Sequence, residues 1–119
     1  MKLMDHNTLT LDDIEWEVNA LEEDMRVRGN ALASGDDKED KACEDGILEQ
    51  LADGNIWAWC HIEVKGRFGD LEATDSLGAC SYKSREDFIA ANDYYPDMRN
   101  TVLAQLQVQV DNLLFRLSK

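Results

Sequence analysis

The spacing of apolar residues predicts two helices before residue 55. Thr10 with Asp13 three residues later forms an acidic variant of a capping box. The apolar positions that follow are three and four residues apart, as on one face of a helix: Leu11, Ile14, Val18, Leu21 and Met25. We predict that this first helix ends at Gly29-Asn30. The four-residue spacing of Cys43, Ile47 and Leu51 predicts a second helix from about Asp37 to Ala52.

The period changes to two after residue 55, which predicts a β-hairpin. One face of the first strand would carry Ile56, Ala58, Cys60, Ile62 and Val64. Its other face would carry Trp57, Trp59, His61, Glu63 and Lys65. The segment Gly66–Asp70 supplies a turn, and alternation from Leu71 to Leu77 predicts the second, antiparallel strand.

Two more helices are predicted after the hairpin. Ser84 with Asp87 is another capping-box variant, and it begins a short helix that would bury Phe88 and Ile89. Pro96 suits the first turn of a last helix that runs to about Leu117. Its apolar stripe consists of Val102, Leu106, Val110, Leu113 and Leu117, widened by Leu103 and Leu114.

These elements predict an α+β fold in which an antiparallel hairpin packs with about four helices in the order ααββαα. The 119 residues are enough for a single domain with one core. Within it we distinguish an acidic helical half (1–54), the hairpin (55–82) and the carboxy-terminal helices (83–119). Because two isolated strands are marginally stable in water, the hairpin needs a helical layer, and pairing with a second copy as a homodimer is left open.

Charge is concentrated in the first half of the chain. The net charge is −13, and residues 1–54 carry 16 acidic against 5 basic side chains. Such acidity disfavours direct binding to nucleic acid or to an anionic membrane surface, because phosphates would be repelled. We therefore expect a basic protein partner, if the chain has one.

The three cysteines are expected to be thiols. Their number is odd, and no secretion signal or apolar run near 18 residues is visible. These features predict a reducing, cytoplasmic location. Cys43, Cys60, His61 and Cys80 have the composition of a zinc site. Cys60 and His61 are neighbours on a predicted strand and face opposite sides, so neither a shared metal ion nor a Cys-His nucleophile is favoured. No cofactor is predicted.

The tryptophans and the acidic side chains are the candidate binding residues. Trp57 and Trp59 could contact a partner's apolar side chains, although core packing against the last helix explains them as well. The acidic residues could reproduce the charge spacing of a nucleic-acid backbone, although a solvated acidic face is the simpler interpretation. They are Glu15, Glu22, Glu23, Asp24, Asp36, Asp37, Glu39, Asp40, Glu44 and Asp45.

Part of the chain resembles a known group. The residues concerned are Trp57-Ala58-Trp59-Cys60, Leu77-Gly78-Ala79-Cys80-Ser81-Tyr82, Phe88 and Tyr94-Tyr95-Pro96-Asp97-Met98. In these motifs the chain is similar to small uncharacterised proteins of tailed phages and prophages. The resemblance covers about Gly54 to Leu106 and excludes the acidic helices. It implies a phage or mobile-element origin and supplies no catalytic residue. Small acidic phage proteins of this kind are often inhibitors of host defence.

Three hypotheses follow from these observations. The first is a non-enzymatic phage-type inhibitor, anti-CRISPR or anti-restriction, whose acidic helices occupy the basic surface of a host nucleic-acid-handling complex. The second is a structural or accessory phage protein that self-assembles through its tryptophan face and long last helix. The third, a small metalloenzyme, would require bound zinc or magnesium.

Overall fold

The computed structural model describes residues 8–31 and 35–117. Within them, three strands form an antiparallel sheet in the order β1-β2-β3, and there are three α-helices. Short 3₁₀ turns cover Leu11–Asp13 and Ile56–Ala58. In chain order the elements are β1 (Glu15–Leu21), α1 (Asp37–Ala52), β2 (Cys60–Phe68), β3 (Leu71–Cys80), α2 (Arg85–Ala91) and α3 (Tyr95–Leu117).

The predicted order ααββαα is wrong because the first helix does not form. Thr10 and Asp13 do interact, and the Thr10 N–H donates to Asp13 Oδ2 (2.9 Å), but they enclose only one 3₁₀ turn before β1 begins. The segment also has a period of two, since Ile14 and Val18 are buried while Glu15 and Glu17 are exposed. Pairing with β2 therefore outweighs the helical spacing that the same apolar residues share.

The helix predicted from Asp37 to Ala52 is confirmed as α1. Asp36 is its N-cap, and its Oδ1 accepts hydrogen bonds from the N–H groups of Lys38 (3.1 Å) and Glu39 (3.2 Å). Ile47 is buried on its inner side. A strong cap and a regular apolar spacing point to the same structure here, so the bounds could be predicted from sequence.

The hairpin is present, but its ends differ from the prediction. Residues 56–58 form a 3₁₀ turn, and β2 begins only at Cys60. The strand then continues through Gly66, and the turn consists of Gly69 and Asp70 alone. Gly69 has φ +59°, a left-handed conformation that favours glycine. Along β2, burial alternates as expected, with Cys60, Ile62 and Val64 inaccessible to solvent.

Both carboxy-terminal helices are present. Ser84 caps α2, and its Oγ accepts a hydrogen bond from the Asp87 N–H (3.1 Å). Phe88 is buried as predicted, whereas Ile89 is 38% exposed. On α3, Val102, Leu106 and Val110 are buried, but the last two positions of the predicted stripe, Leu113 and Leu117, are 46% and 74% exposed.

The chain divides into two compact units, and each strand contributes residues to both. The described residues of the first unit are 8–18, 64–75 and 93–117. Its core contains Leu9, Ile14, Ala73, Val102, Leu106 and Val110.

The second unit contains the described residues 19–31, 35–63 and 76–92. Its core contains Val27, Ile47, Ala58 and Trp59. Helix α1 and the segment that precedes it belong to this unit, so most of the predicted acidic residues lie here.

Candidate functional site

Helix α1 and its two caps carry most of the exposed carboxylates of the second unit. Asp45, Glu49 and Asp53 are exposed and four residues apart, which corresponds to about 6 Å per step along a helix. Asp37 and Glu39 are exposed near the first turn. Glu49 and Asp53 were missed by the sequence prediction, although their i, i+4, i+8 spacing with Asp45 could have identified them.

Three of the predicted acidic residues belong to the structure of α1 itself. Asp36 is the N-cap described above, and Asp40 is half-buried. Glu44 is only 7% exposed, so its carboxylate cannot present charge to a partner as predicted. Its Oε2 accepts a hydrogen bond from the Gly29 N–H (2.6 Å) and its Oε1 one from Arg28 (3.0 Å).

The Glu44 carboxylate anchors the segment before α1. The hydrogen bond from Gly29 and then that from Arg28 lower the pKa of Glu44 below its ordinary value. Gly29 has φ +81°, a conformation that a side chain would strain. Arg28 also pairs with Asp45 (2.5 Å), so one member of the exposed row is partly neutralised. The remaining positions, Glu49 and Asp53, carry the outward charge.

Glu23 is a second anchoring carboxylate. It is half-buried and lies just after β1, where its Oε1 accepts a hydrogen bond from the Ala79 N–H of β3 and its Oε2 one from the Met25 N–H (3.2 Å). These bonds, that from Ala79 first, lower the pKa of Glu23. Ala79 has φ +54°, unusual for a residue other than glycine, so the bond also supports a strained backbone position.

The other predicted acidic residues are exposed. Glu22 and Asp24 lie in the segment after β1, in the second unit, and Glu15 lies on β1 in the first. Glu15 lines a shallow groove of about 220 Å³ together with Trp16, Glu17, Lys65 and Arg67. Ligand sites for small molecules usually measure about 300–1,000 Å³, and this groove mixes both signs of charge. It is therefore a weak candidate site.

The two predicted tryptophans do not share a strand face with His61, because both precede β2. Trp59 is 6% exposed, and its Nε1–H donates to the Met25 carbonyl oxygen (2.7 Å). Trp57 is half-buried, and its ring lies 6.3 Å from that of Phe88. Core packing therefore describes Trp59, but its partners are Val27, Ile47 and Ala58 instead of the predicted last helix.

The cysteines are thiols within the second unit. Cys60 is inaccessible to solvent, and this burial raises its pKa to about 12. Cys80 lies on the neighbouring strand, and its Sγ is 3.4 Å from the Leu77 carbonyl oxygen. Throughout residues 8–31 and 35–117, no three His, Cys, Asp or Glu side chains are grouped so that they could hold a metal ion.

Helix α3 presents apolar side chains on its outward face as well as its inner one. Val108 is 58% exposed and Phe115 is 62% exposed. Asp111, Asn112 and Arg116 lie beside them and are exposed. Val108 and Phe115 lie outside the inner stripe that the first core buries.

None of the helices in the described part of the chain combines the length and apolar character needed to cross a membrane. Comparisons with protein-family models, with curated proteins and with solved structures find no match to this chain.

Proposed function

We propose that this protein is a non-enzymatic, phage-type inhibitor of a host defence complex, of the anti-CRISPR or anti-restriction kind, that acts in the host cytoplasm. Its exposed α1 carboxylates would occupy a basic surface that otherwise binds nucleic acid. The observation that carries the proposal is the outward pair Glu49 and Asp53, beside an Asp45 that Arg28 partly neutralises, on a chain of net charge −13.

The outward carboxylates lie on a helix, α1, that is anchored by contacts of other acidic residues. Asp36 caps the beginning of α1, and Glu44 connects the helix to Gly29 and Arg28, so the backbone that carries the outward carboxylates is fixed. Residues 36–53 contain eight acidic and two basic side chains. Charges fixed at regular spacing gain more from a complementary basic surface than charges on a mobile segment, because less conformational entropy is lost on binding.

A competition experiment tests the proposal. A candidate CRISPR effector or restriction enzyme is loaded with fluorescent DNA, and displacement of the DNA by the protein is followed at low and high salt. The double variant Glu49→Lys with Asp53→Lys should weaken displacement by about tenfold or more, and high salt should weaken displacement by the wild-type protein.

The matched control is Glu86→Lys with Asp70→Lys, two exposed acidic residues outside α1. Both double variants have the same net charge of −9, starting from −13. The control should change the displacement less than about threefold. Equal losses in the two variants would show that only net charge matters, and displacement that is insensitive to salt would exclude the acidic-surface mechanism.

The second candidate function is self-assembly as a structural or accessory phage protein. The exposed apolar residues of α3, above all Val108 and Phe115, favour it. The tryptophan face gives it less support, since Trp59 is buried. Light scattering of the purified protein would detect a stable assembly, and a protein that remains monomeric while it displaces DNA would favour the inhibitor instead.

A further inference from the structure

The outward face of α3 has the spacing of a coiled-coil seam. Exposed positions recur at alternating intervals of four and three residues: Thr101, Gln105, Val108, Asn112 and Phe115. This is the a/d spacing of a heptad, with Val108 and Phe115 at d positions and Asn112 at an a position. The seam is separate from the inner stripe Met98, Val102, Leu106 and Val110, which is buried in the core.

The residues that flank the seam carry opposite charges. Asp111 occupies the g position before Asn112, and Arg116 occupies the e position after Phe115, five residues later. Asp111 Oδ1 accepts a hydrogen bond from Gln107 Nε2 (2.9 Å), which leaves Oδ2 for a cation of a second copy. In a parallel two-stranded coiled coil, a g residue lies beside the e residue five positions further along the partner helix. Two parallel copies of α3 would therefore form the pair Asp111–Arg116 twice. A single Asn at an a position specifies register in such dimers at a cost in stability, and the other a position of this seam, Gln105, is polar as well.

We propose that this seam is an interface for a second copy of the chain, with the two α3 helices parallel and in register. Phe115 and Val108 pack across the interface, and Asp111 of each copy pairs with Arg116 of the other. This interface would mediate the self-assembly that is the second candidate function, on which the proposal rests. It lies on α3 of the first unit and does not involve the acidic face of α1.

Charge explains why a second copy fits this face. Two chains of net charge −13 repel each other, so their contact must lie where charge is locally balanced. Helix α3 has two acidic residues, Asp97 and Asp111, against two basic ones, Arg99 and Arg116. By contrast, residues 36–53 on and around α1 have a large excess of acidic side chains.

The expected dimer is weak. Its apolar content consists of two exposed side chains in each copy, well below the roughly 800 Å² per partner of a standard stable interface. A dissociation constant on the order of 10 μM or weaker is therefore expected. Because the helix is already folded, association requires no helix nucleation.

Sedimentation equilibrium of the full chain between about 10 μM and 1 mM tests the inference. We expect a reversible monomer–dimer equilibrium that strengthens as salt screens the repulsion between copies. Phe115→Ser should weaken it by about tenfold. Tyr94→Ser removes a similarly exposed apolar side chain, 53% exposed, from outside the seam and should leave the equilibrium unchanged. A protein that remains monomeric at 1 mM in high salt would overturn the proposal.

Charge reversal tests the parallel register. Asp111→Arg should weaken dimerisation by about fivefold although it reduces the net negative charge, and Arg116→Asp should weaken it as well. The double variant restores opposite pairs at the wild-type net charge and should recover the affinity. Failure of the double variant to recover would exclude the parallel arrangement.

The two proposals can fail separately. Salt should strengthen self-association through α3 and weaken binding of a basic partner through α1. Circular dichroism of each variant confirms that its helices remain folded. Loss of dimerisation in Phe115→Ser with intact DNA displacement would support the seam and leave the acidic face unaffected.

Discussion

Gly66 offers the sharpest test of how the first core is packed. It is buried on β2, and a Cβ atom added there would lie 2.7 Å from Val102 Cγ1, 2.9 Å from Ile14 Cγ2 and 3.1 Å from Trp16 Cζ3. Val102 and Ile14 are β-branched and have few alternative rotamers, and Val102 is inaccessible to solvent. The neighbours therefore have little room to move away from an alanine.

The net effect of Gly66→Ala follows from two opposing contributions. Overpacking of a core by a methyl group costs about 1–3 kcal/mol. Alanine also gains about 0.5–1 kcal/mol over glycine within a strand, because the unfolded chain has less freedom to lose. Because the added Cβ meets three side chains at once, the upper half of the overpacking range applies, about 2–3 kcal/mol, and we expect the free energy of unfolding to fall by about 1–2.5 kcal/mol.

Urea unfolding followed by circular dichroism measures this change as a lower midpoint with an unchanged slope. Gly46→Ala is the matched control, since it lies inside α1 and, apart from its chain neighbours and the helix's own backbone, nothing lies within 4 Å of the added Cβ. It should raise the free energy of unfolding by about 1 kcal/mol. A second test combines Gly66→Ala with Val102→Ala, which removes the nearest atom and should give a favourable coupling of about 0.5 kcal/mol or more. A neutral or stabilising Gly66→Ala would refute the close packing.

Two further predictions concern titratable groups of the second unit. Because the pKa of Glu23 is lowered from its ordinary 4.5, its hydrogen bonds stabilise the fold above that pH, and the contribution is lost as pH falls below it. Between about pH 5 and pH 3, the free energy of unfolding should therefore fall more for the wild-type protein than for Glu23→Gln. Glu39→Gln is the control and should behave like the wild type. Parallel curves of unfolding free energy against pH for wild type and Glu23→Gln would contradict this prediction. Alkylation of the folded protein with iodoacetamide, followed by mass spectrometry, should label the half-buried Cys43 well before Cys60. The Cys60 pKa of about 12 leaves little of the reactive thiolate. Equal alkylation rates at the two cysteines would show that β2 opens readily.

The elements that could be predicted are those for which local signals agree. Helix α1 has a strong cap at Asp36 and a regular apolar spacing, and Ser84 gives α2 the same advantage. The segment 10–21 supports both a helical and an alternating interpretation, because Ile14 and Val18 fit both periods. Pairing with β2 favours the strand. The local spacing of apolar residues does not indicate which distant segment a strand will pair with.

The acidic residues show the same limit for the candidate site. From sequence, Glu23 and Glu44 are equivalent to Glu22 and Glu39, and all four are expected on a charged surface. The structure separates them, because backbone N–H groups of Ala79 and Gly29 are directed at the first two. Such bonds depend on how a loop folds back, which neither charge nor periodicity reveals.

The division of every strand between the two units has a genetic consequence. The first unit is assembled from three separate stretches of the chain and the second from two, so no single stop codon or proteolytic cut releases either one intact. Truncation is therefore the wrong way to assign a role to one unit, and single substitutions are needed.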